Sequence, residues 1–278
     1  MNIKISLNDS ALNFELYHLT RDKYFNQMLS WNQHAIKSLL IKGKPLSYIL
    51  RNHTFLNSNL SINPGVLVPR NETEEYVYAL IEKIKSFRLN GAEKFRILDL
   101  CTGSGCIALA LGCSLHNVEI VAVDKSYFSY LNALNNVNAN EAILKSNNSE
   151  IHLKCFDILN NVNFDINQKF DLIIANPPYI QPIKRHKVDQ NVLTYERHSA
   201  LFPCKNRFKG LYLHSKILAL SKNILNPTPN HSVIPRIVLE FDGKYQIQTF
   251  KNLLKRSGYD KYKFRKDFRS IPRSLWIY

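Results

Sequence analysis

Asn176-Pro177-Pro178-Tyr179 is the tetrapeptide whose side chains could do the most chemistry in this chain of 278 residues. Two consecutive prolines fix φ near −65° and remove backbone N–H donors, so the carbonyls around them are free to accept hydrogen bonds. Asn176 adds a side-chain carbonyl, and Tyr179 adds a ring face that stacks on a flat group. A planar NH2, as in an amide or an aromatic amine, fits such a place. Its nitrogen is a poor nucleophile because the lone pair is delocalised, and holding both hydrogens between two acceptors aims that lone pair at an electrophile. A strand followed by a proline-rich turn shares the Pro-Pro signature. The Asn before it and the Tyr after it favour the chemical reading.

A second signal lies upstream. Residues 95–111 read as an apolar strand, a glycine turn and a helix-forming run, the pattern of a nucleotide-binding strand, loop and helix. Gly103 and Gly105 allow a tight turn and let a ligand touch backbone. A further apolar run, Val118 to Asp124, ends in an acid 19 residues beyond Gly105, near the separation at which an acid accepts hydrogen bonds from ribose hydroxyls. A dinucleotide-binding oxidoreductase is the rival reading of this loop, and its third glycine is replaced here by Ala108. Asp99 argues against it, because a carboxylate at the end of the first strand repels a pyrophosphate and attracts an ammonium. S-adenosylmethionine carries such an ammonium.

Asp99-Leu-Cys-Thr-Gly-Ser-Gly105 together with Asn176-Pro-Pro-Tyr179 resembles the class I methyltransferases that modify exocyclic or amide nitrogens. Gly43-Lys-Pro-Leu-Ser-Tyr48, Val68-Pro-Arg-Asn-Glu-Thr-Glu74 and Glu196-Arg-His-Ser-Ala-Leu201 narrow the resemblance to the HemK-like protein-glutamine N5-methyltransferases of peptide chain release factors, over residues 43–278. The resemblance implies that Asp99, Cys101, Thr102, Gly103, Ser104, Gly105, Asp124, Asp157 and Asn176 bind S-adenosylmethionine, with Asp157 on the adenine amine. It implies that Asn176, Pro177, Pro178 and Tyr179 form the catalytic loop. Two departures stand out. Cys101 occupies a position where the family often has glycine, so a β or αR backbone is expected there. The family's Asp-Gly-x-x-Gly-Leu is present only as Asn206-Arg-Phe-Lys-Gly-Leu211.

Some of these residues have ordinary alternative uses. Arg70 to Glu74 has the composition of a helix start, in which Asn71 or Thr73 caps a helix running to about Lys85. Asp157 fits a solvated turn, and Glu240 fits structural support better than catalysis.

These residues need a scaffold, and the chain supplies one. The expected fold class is α/β: a class I, Rossmann-like, seven-stranded methyltransferase sheet with a small N-terminal helical domain and a linking β-hairpin. Residues 1–42 have helical spacing and no glycine, residues 43–69 hold the hairpin through 48–50 and 61–68, and residues 70–278 form the methyltransferase domain. Further strands are expected at 151–157, 170–175 and 236–241, with an antiparallel pair near 262–264 and 275–278. Helices between successive strands make the sheet parallel and covered on both faces. Asn-rich stretches at 132–148 and 160–167 read as loop expansions, and Pro227 to Asn230 as an exposed turn.

No run approaches the ~20 apolar residues of a membrane span. The five cysteines include no Cys-x-x-Cys pair and the nine histidines show no ligand spacing, so neither disulfides nor a metal are expected. The net charge of +15 is concentrated at 184–187, 205–209 and 251–273, which suits an anionic partner or a solvated face.

Three functions compete: methylation of a release-factor glutamine amide, methylation of an adenine amine in RNA or DNA, and an inactive scaffold. Residues 180–278 leave no room for a nucleic-acid recognition domain, so a class I release factor presenting its Gly-Gly-Gln loop is the expected partner. No stable nucleic-acid or membrane partner is expected, and the chain is read as a monomer. Acids at 9, 15 and 22 depart from a presequence. The overall basicity and Cys101 nevertheless favour a mitochondrial location, with the cytoplasm of an AT-rich bacterium as the alternative.

Overall fold

The computed structural model describes residues 35–87, 94–160, 168–205, 207–227 and 233–278. Most of the helical domain expected over 1–42 lies outside the described residues, as do 161–167 and 228–230; within it, residues 35–41 are helical.

A hairpin does form in the linking segment, at other residues than the sequence suggested. Tyr48 lies in a short helix, Leu46–Leu50, and the strands are β1 (His53–Phe55) and β2 (Ser58–Leu60), paired antiparallel. Phe55 and Leu60 point inward and are buried, and the Leu56 N–H at the turn is taken by Glu74 Oε1 at 2.6 Å. Residues 61–68, expected as a strand, instead run as an irregular strap from the hairpin to helix α1 (Asn71–Phe87).

The sheet has seven strands in the order β5-β4-β3-β6-β7-β9-β8. Its members are β3 (Phe95–Leu100), β4 (Val118–Asp124), β5 (Glu150–Cys155), β6 (Leu172–Ala175), β7 (Ile237–Glu240), β8 (Tyr262–Lys266) and β9 (Pro272–Ile277). The first five are mutually parallel, and β9 enters antiparallel between β7 and β8. Near-continuous apolar runs in β3, β4 and β6 are what burial on both faces demands. Helix α2 (Cys106–Ser114) is buried on nearly every side, which its uniformly apolar sequence requires.

One core layer lies between the sheet, the hairpin, α1 and α2, and the other between the sheet and its C-terminal helices. The chain leaves β3 for β4 and β5 on one side, then returns to β6 on the other. The reversal opens a crevice at the carboxyl ends of the parallel strands, where ligands of such sheets bind.

The Asn-rich stretch at 132–148 is not a loop expansion. It is helix α3 (Tyr127–Ala139) followed by a second helix, Glu141–Ser146. Asn132, Asn136 and Asn140 recur every four residues on one face and are buried. The amides of Asn132 and Asn136 clasp the strap: Asn136 Oδ1 accepts from Ser61 N at 2.7 Å, Asn132 Oδ1 from Asn63 N at 2.8 Å, and Asn132 Nδ2 donates to Ser61 O at 2.6 Å. Asparagine is used here because irregular backbone must be hydrogen-bonded when it is buried.

Candidate active site

The loop after β3 is built on left-handed backbone. Cys101 has φ 61°, Gly103 φ 60° and Gly105 φ 82°, so the expected β or αR conformation at Cys101 is corrected. The turn brings Thr102 N to Val123 O at 3.0 Å and Gly105 N to Thr102 O at 2.9 Å. A left-handed residue is needed to double the chain back so soon after the strand. A non-glycine residue adopts it at a cost of roughly 1–2 kcal/mol. Burial raises the Cys101 thiol well above its ordinary range, so it lines the site as a neutral group.

Asp124, at the tip of β4, holds this loop. Its Oδ2 accepts from Gly103 N at 2.9 Å and its Oδ1 from Ser126 N at 2.8 Å. Each oxygen keeps a lone pair for a further donor. Burial raises its pKa, while those backbone N–H groups pull it back. Asp99 is fully buried behind the loop; Oδ2 takes a 2.6 Å hydrogen bond from Thr102 Oγ1 and Oδ1 has no partner. Desolvation pushes its carboxyl up to about 7.

A cavity of about 750 Å³ opens beside these residues, lined by Cys101, Gly103, Asp124, Phe156, Asp157, Ile158, Asn176 and Pro178 among others. Asp99, Thr102, Ser104 and Gly105 are not in its wall; they form the layer that shapes the loop. A second cavity of about 570 Å³ is lined by Asn176, Pro177, Pro178, Tyr179, Val188, Val192 and Leu201. Asn176, Pro178, Leu67 and Ala200 belong to both walls, so the two cavities meet at Asn176.

The orientation of Asn176 follows from its neighbours. Thr73 Oγ1 donates to Glu240 Oε2 at 2.6 Å, and the Tyr179 hydroxyl donates to Glu240 Oε1 at 2.8 Å. A threonine hydroxyl already donating can only accept from a second partner. The 3.2 Å contact between Thr73 Oγ1 and Asn176 is therefore made by Nδ2–H, and Oδ1 is left as the acceptor where the cavities join. Burial raises the Glu240 carboxyl and the hydrogen bonds from Thr73 and Tyr179 lower it. Tyr179 is held well above its ordinary pKa by burial and by the Glu240 charge, so it remains a donor.

The Arg70 backbone carbonyl accepts from Glu74 N at 3.1 Å at the helix start, but the side chain is used elsewhere. Its Nη2 lies 2.7 and 2.8 Å from the two oxygens of Glu196, a side chain only 1% exposed. Glu196 also bridges backbone to Gly65, so the strap and the segment beginning at Glu196 are fastened together over the first cavity. Thr73 and Glu240 were assigned only capping and structural support from sequence, and Phe156 and Ile158 were not singled out. The apolar residues on either side of Asp157 were the available signal.

Residues 78–199 match the family model described as "Methyltransferase small domain". The release factor glutamine methyltransferase of Mycoplasma mycoides subsp. mycoides is 32% identical, covering 99% of this chain and 94% of that protein. The protein of the same name from Flavobacterium psychrophilum is 31% identical over 90% of this chain and 80% of its own length. The chain belongs to the release factor glutamine methyltransferase family. Among solved structures, a methyltransferase from Pyrococcus furiosus superposes with a TM-score of 0.52 at 15% identity, covering 87% of this chain and 97% of that one. The N-terminal domain of human METTL16 in complex with SAH gives 0.51 at 16% identity, over 78% and 73%. Both show the fold.

This methyltransferase uses S-adenosylmethionine, which supplies an electrophilic methyl group, and the cavity fits that molecule. Gly103 stands at its wall with open space where a Cβ would lie, so a ligand can approach the backbone. Asp124 and Asp157 line the cavity as acids that could accept from ribose hydroxyls and an adenine amine, and Phe156 and Ile158 add apolar surface that could flank a base. Asp99, with its unpartnered Oδ1, stands behind the loop and out of the cavity wall, so it would act on a cationic amino group through its charge and the loop it shapes.

Proposed function

We propose that this methyltransferase modifies the side-chain amide nitrogen of the glutamine in the Gly-Gly-Gln loop of a peptide chain release factor. The observation that carries the reading is Asn176 Oδ1, fixed by Thr73 at the meeting point of the cofactor cavity and the second cavity. A glutamine amide entering the second cavity would give one N–H to Oδ1 and the other to a carbonyl of the Pro177-Pro178 segment. Held between two acceptors, the amide turns its lone pair towards the first cavity. The nitrogen then forms its bond to the methyl carbon as the carbon–sulfur bond breaks, and the surplus N–H proton leaves to solvent. No side chain need act as a strong base, since orientation is the main contribution.

The compartment we propose is mitochondrial, on the support of the +15 charge and the Cys101 loop. Fractionation with organelle markers tests that placement, and a bacterial cytoplasmic origin would overturn it.

Incubating the full chain with S-adenosylmethionine and a full-length release factor should add one methyl group to the Gln-containing peptide, read by mass spectrometry. Methylation of a single-stranded oligonucleotide, with none on the release factor, would transfer the case to the adenine-amine reading.

A further inference from the structure

Two basic clusters of the sequence are unused by the chemistry above, and both converge on Tyr179. The first begins just after it: Lys184, Arg185, His186 and Lys187 lie on a 3-10 turn, Pro182–Lys187. The second ends at Lys209-Gly210. Gly210 has φ +88°, and a Cβ there would meet Tyr179 O at 2.2 Å, so that loop is pressed against the backbone of the catalytic tetrapeptide. Gln246 Nε2 bonds both Tyr179 O and Lys209 O, at 3.1 and 2.7 Å, which fixes the approach.

The second cavity continues outward beside the first of these clusters. Val188 belongs both to its wall and to an outer opening lined by Pro182, Ile183, Arg185 and His186. Residues 176–210 contain seven Lys or Arg and only two acids, Asp189 and Glu196. Both acids are engaged: Asp189 accepts from Asn191 N at 2.7 Å, and Glu196 is buried against Arg70. Arg185, His186, Lys187, Lys205 and Lys209 are exposed.

We propose that this collar docks acidic side chains of the substrate protein, carried on the surface around the glutamine loop that enters the second cavity; the inference rests on the protein-substrate reading given above. The aromatic rings of the collar decide between a protein and a nucleic acid. Binding of single-stranded nucleic acid combines positive charge with free ring faces on which bases stack. Here Lys184 lies over the Tyr245 ring, Arg185 over Phe202 and Lys205 over Tyr212, at 2.8, 5.8 and 5.4 Å from the ring centroids. These three rings already carry the molecule's own cations; Phe208 of the second cluster, 37% exposed, is a further ring of the collar. Ile183, 74% exposed at the lip, adds an apolar contact of the kind a folded protein surface supplies.

The test is charge reversal away from the catalytic loop, with Lys187→Glu and Lys205→Glu combined in the full chain, and Lys187→Ala with Lys205→Ala as a milder pair. With a release factor as substrate, KM should rise about tenfold in the reversal variant, with kcat and the calorimetric affinity for S-adenosylmethionine unchanged. The wild-type KM should rise with added salt more steeply than that of either variant, because exposed charge pairs are screened. Fluorescence anisotropy of a labelled oligoglutamate peptide provides a readout independent of turnover, and its binding should be lost in the reversal variant. A release factor methylated with unaltered KM by the reversal variant would overturn the collar and leave the substrate reading standing. Peptide binding lost on reversal, with no methylation of the release factor by wild type, would do the opposite. A single-stranded RNA oligonucleotide bound more tightly than the acidic peptide would also overturn the proposal, in favour of nucleic acid.

Discussion

Thr73 lies 3.2 Å from Asn176 and, because it donates its only proton to Glu240, it dictates which end of the Asn176 amide faces the junction of the two cavities. The hydroxyl is thus a positioning group for a residue 103 positions away in sequence.

Thr73→Val keeps the side-chain shape and removes the hydroxyl. Turnover should fall about tenfold, because the Asn176 amide is no longer held in one orientation, while affinity for S-adenosylmethionine is unchanged. One oxygen of buried Glu240 loses its donor, so the free energy of unfolding should also drop, by roughly 1–3 kcal/mol. Asn176→Ala, which removes the acceptor itself, should cost on the order of a hundredfold in single-turnover rate. Full activity of both variants would show that the tetrapeptide is a structural turn.

Asp124 has two jobs, since it anchors Gly103 and Ser126 and faces the cavity. Asp124→Ala should weaken cofactor binding by about ten- to a hundredfold, the worth of one or two charge-assisted hydrogen bonds. Calorimetry measures it, and an unchanged dissociation constant would remove Asp124 from the cofactor site.

Cys101→Gly relieves a left-handed backbone at a residue that carries a Cβ. Stability should rise by about 1 kcal/mol, or about 2–4 °C in the melting temperature. A fall would mean that packing of the thiol outweighs the backbone term.

The pH dependence turns on Asp99, whose carboxyl burial raises from 3.8 to about 7. The folded chain therefore keeps a proton that the unfolded chain releases. The stability this contributes is fully present below 3.8 and is lost as pH rises through about 7. Asp99→Asn retains an acceptor for Thr102 without the charge, so the ligand-free variant should melt higher than wild type at about pH 8 and alike at about pH 4. A cofactor ammonium favours the ionised form, so wild-type affinity should climb as pH passes through about 7, with the variant weaker and flat. Identical pH profiles would dissociate Asp99 from cofactor binding.

What could be read from the sequence follows the range of the interactions. The strands at 95–100 and 118–124 are legible because each is a short apolar run with an acid at or next to its end. The Asn176 tetrapeptide is legible because proline and asparagine restrict backbone and donors locally. The Thr73 to Glu240 contact spans 167 residues and leaves no local trace. Asn132, Asn136 and Asn140 were discounted because asparagine is weighted as a turn residue, although their four-residue spacing is helical. The hairpin was displaced to residues 61–68 because that segment has strand-like residues, yet its backbone groups are satisfied by asparagine side chains.

The same asparagines give the strap a thermodynamic partner. They sit on the helix that starts three residues after Asp124, and the strap they hold contributes Gly65 and Leu67 to the cofactor cavity. If occupation of the cavity steadies the strap, and a substrate protein also grips the strap, the two binding events share one ordering cost. Reciprocity then leaves no choice of direction: whatever factor the cofactor adds to substrate affinity, the substrate must add to cofactor affinity. Product release would be governed by the same exchange, since losing the methylated protein loosens the strap over the spent cofactor.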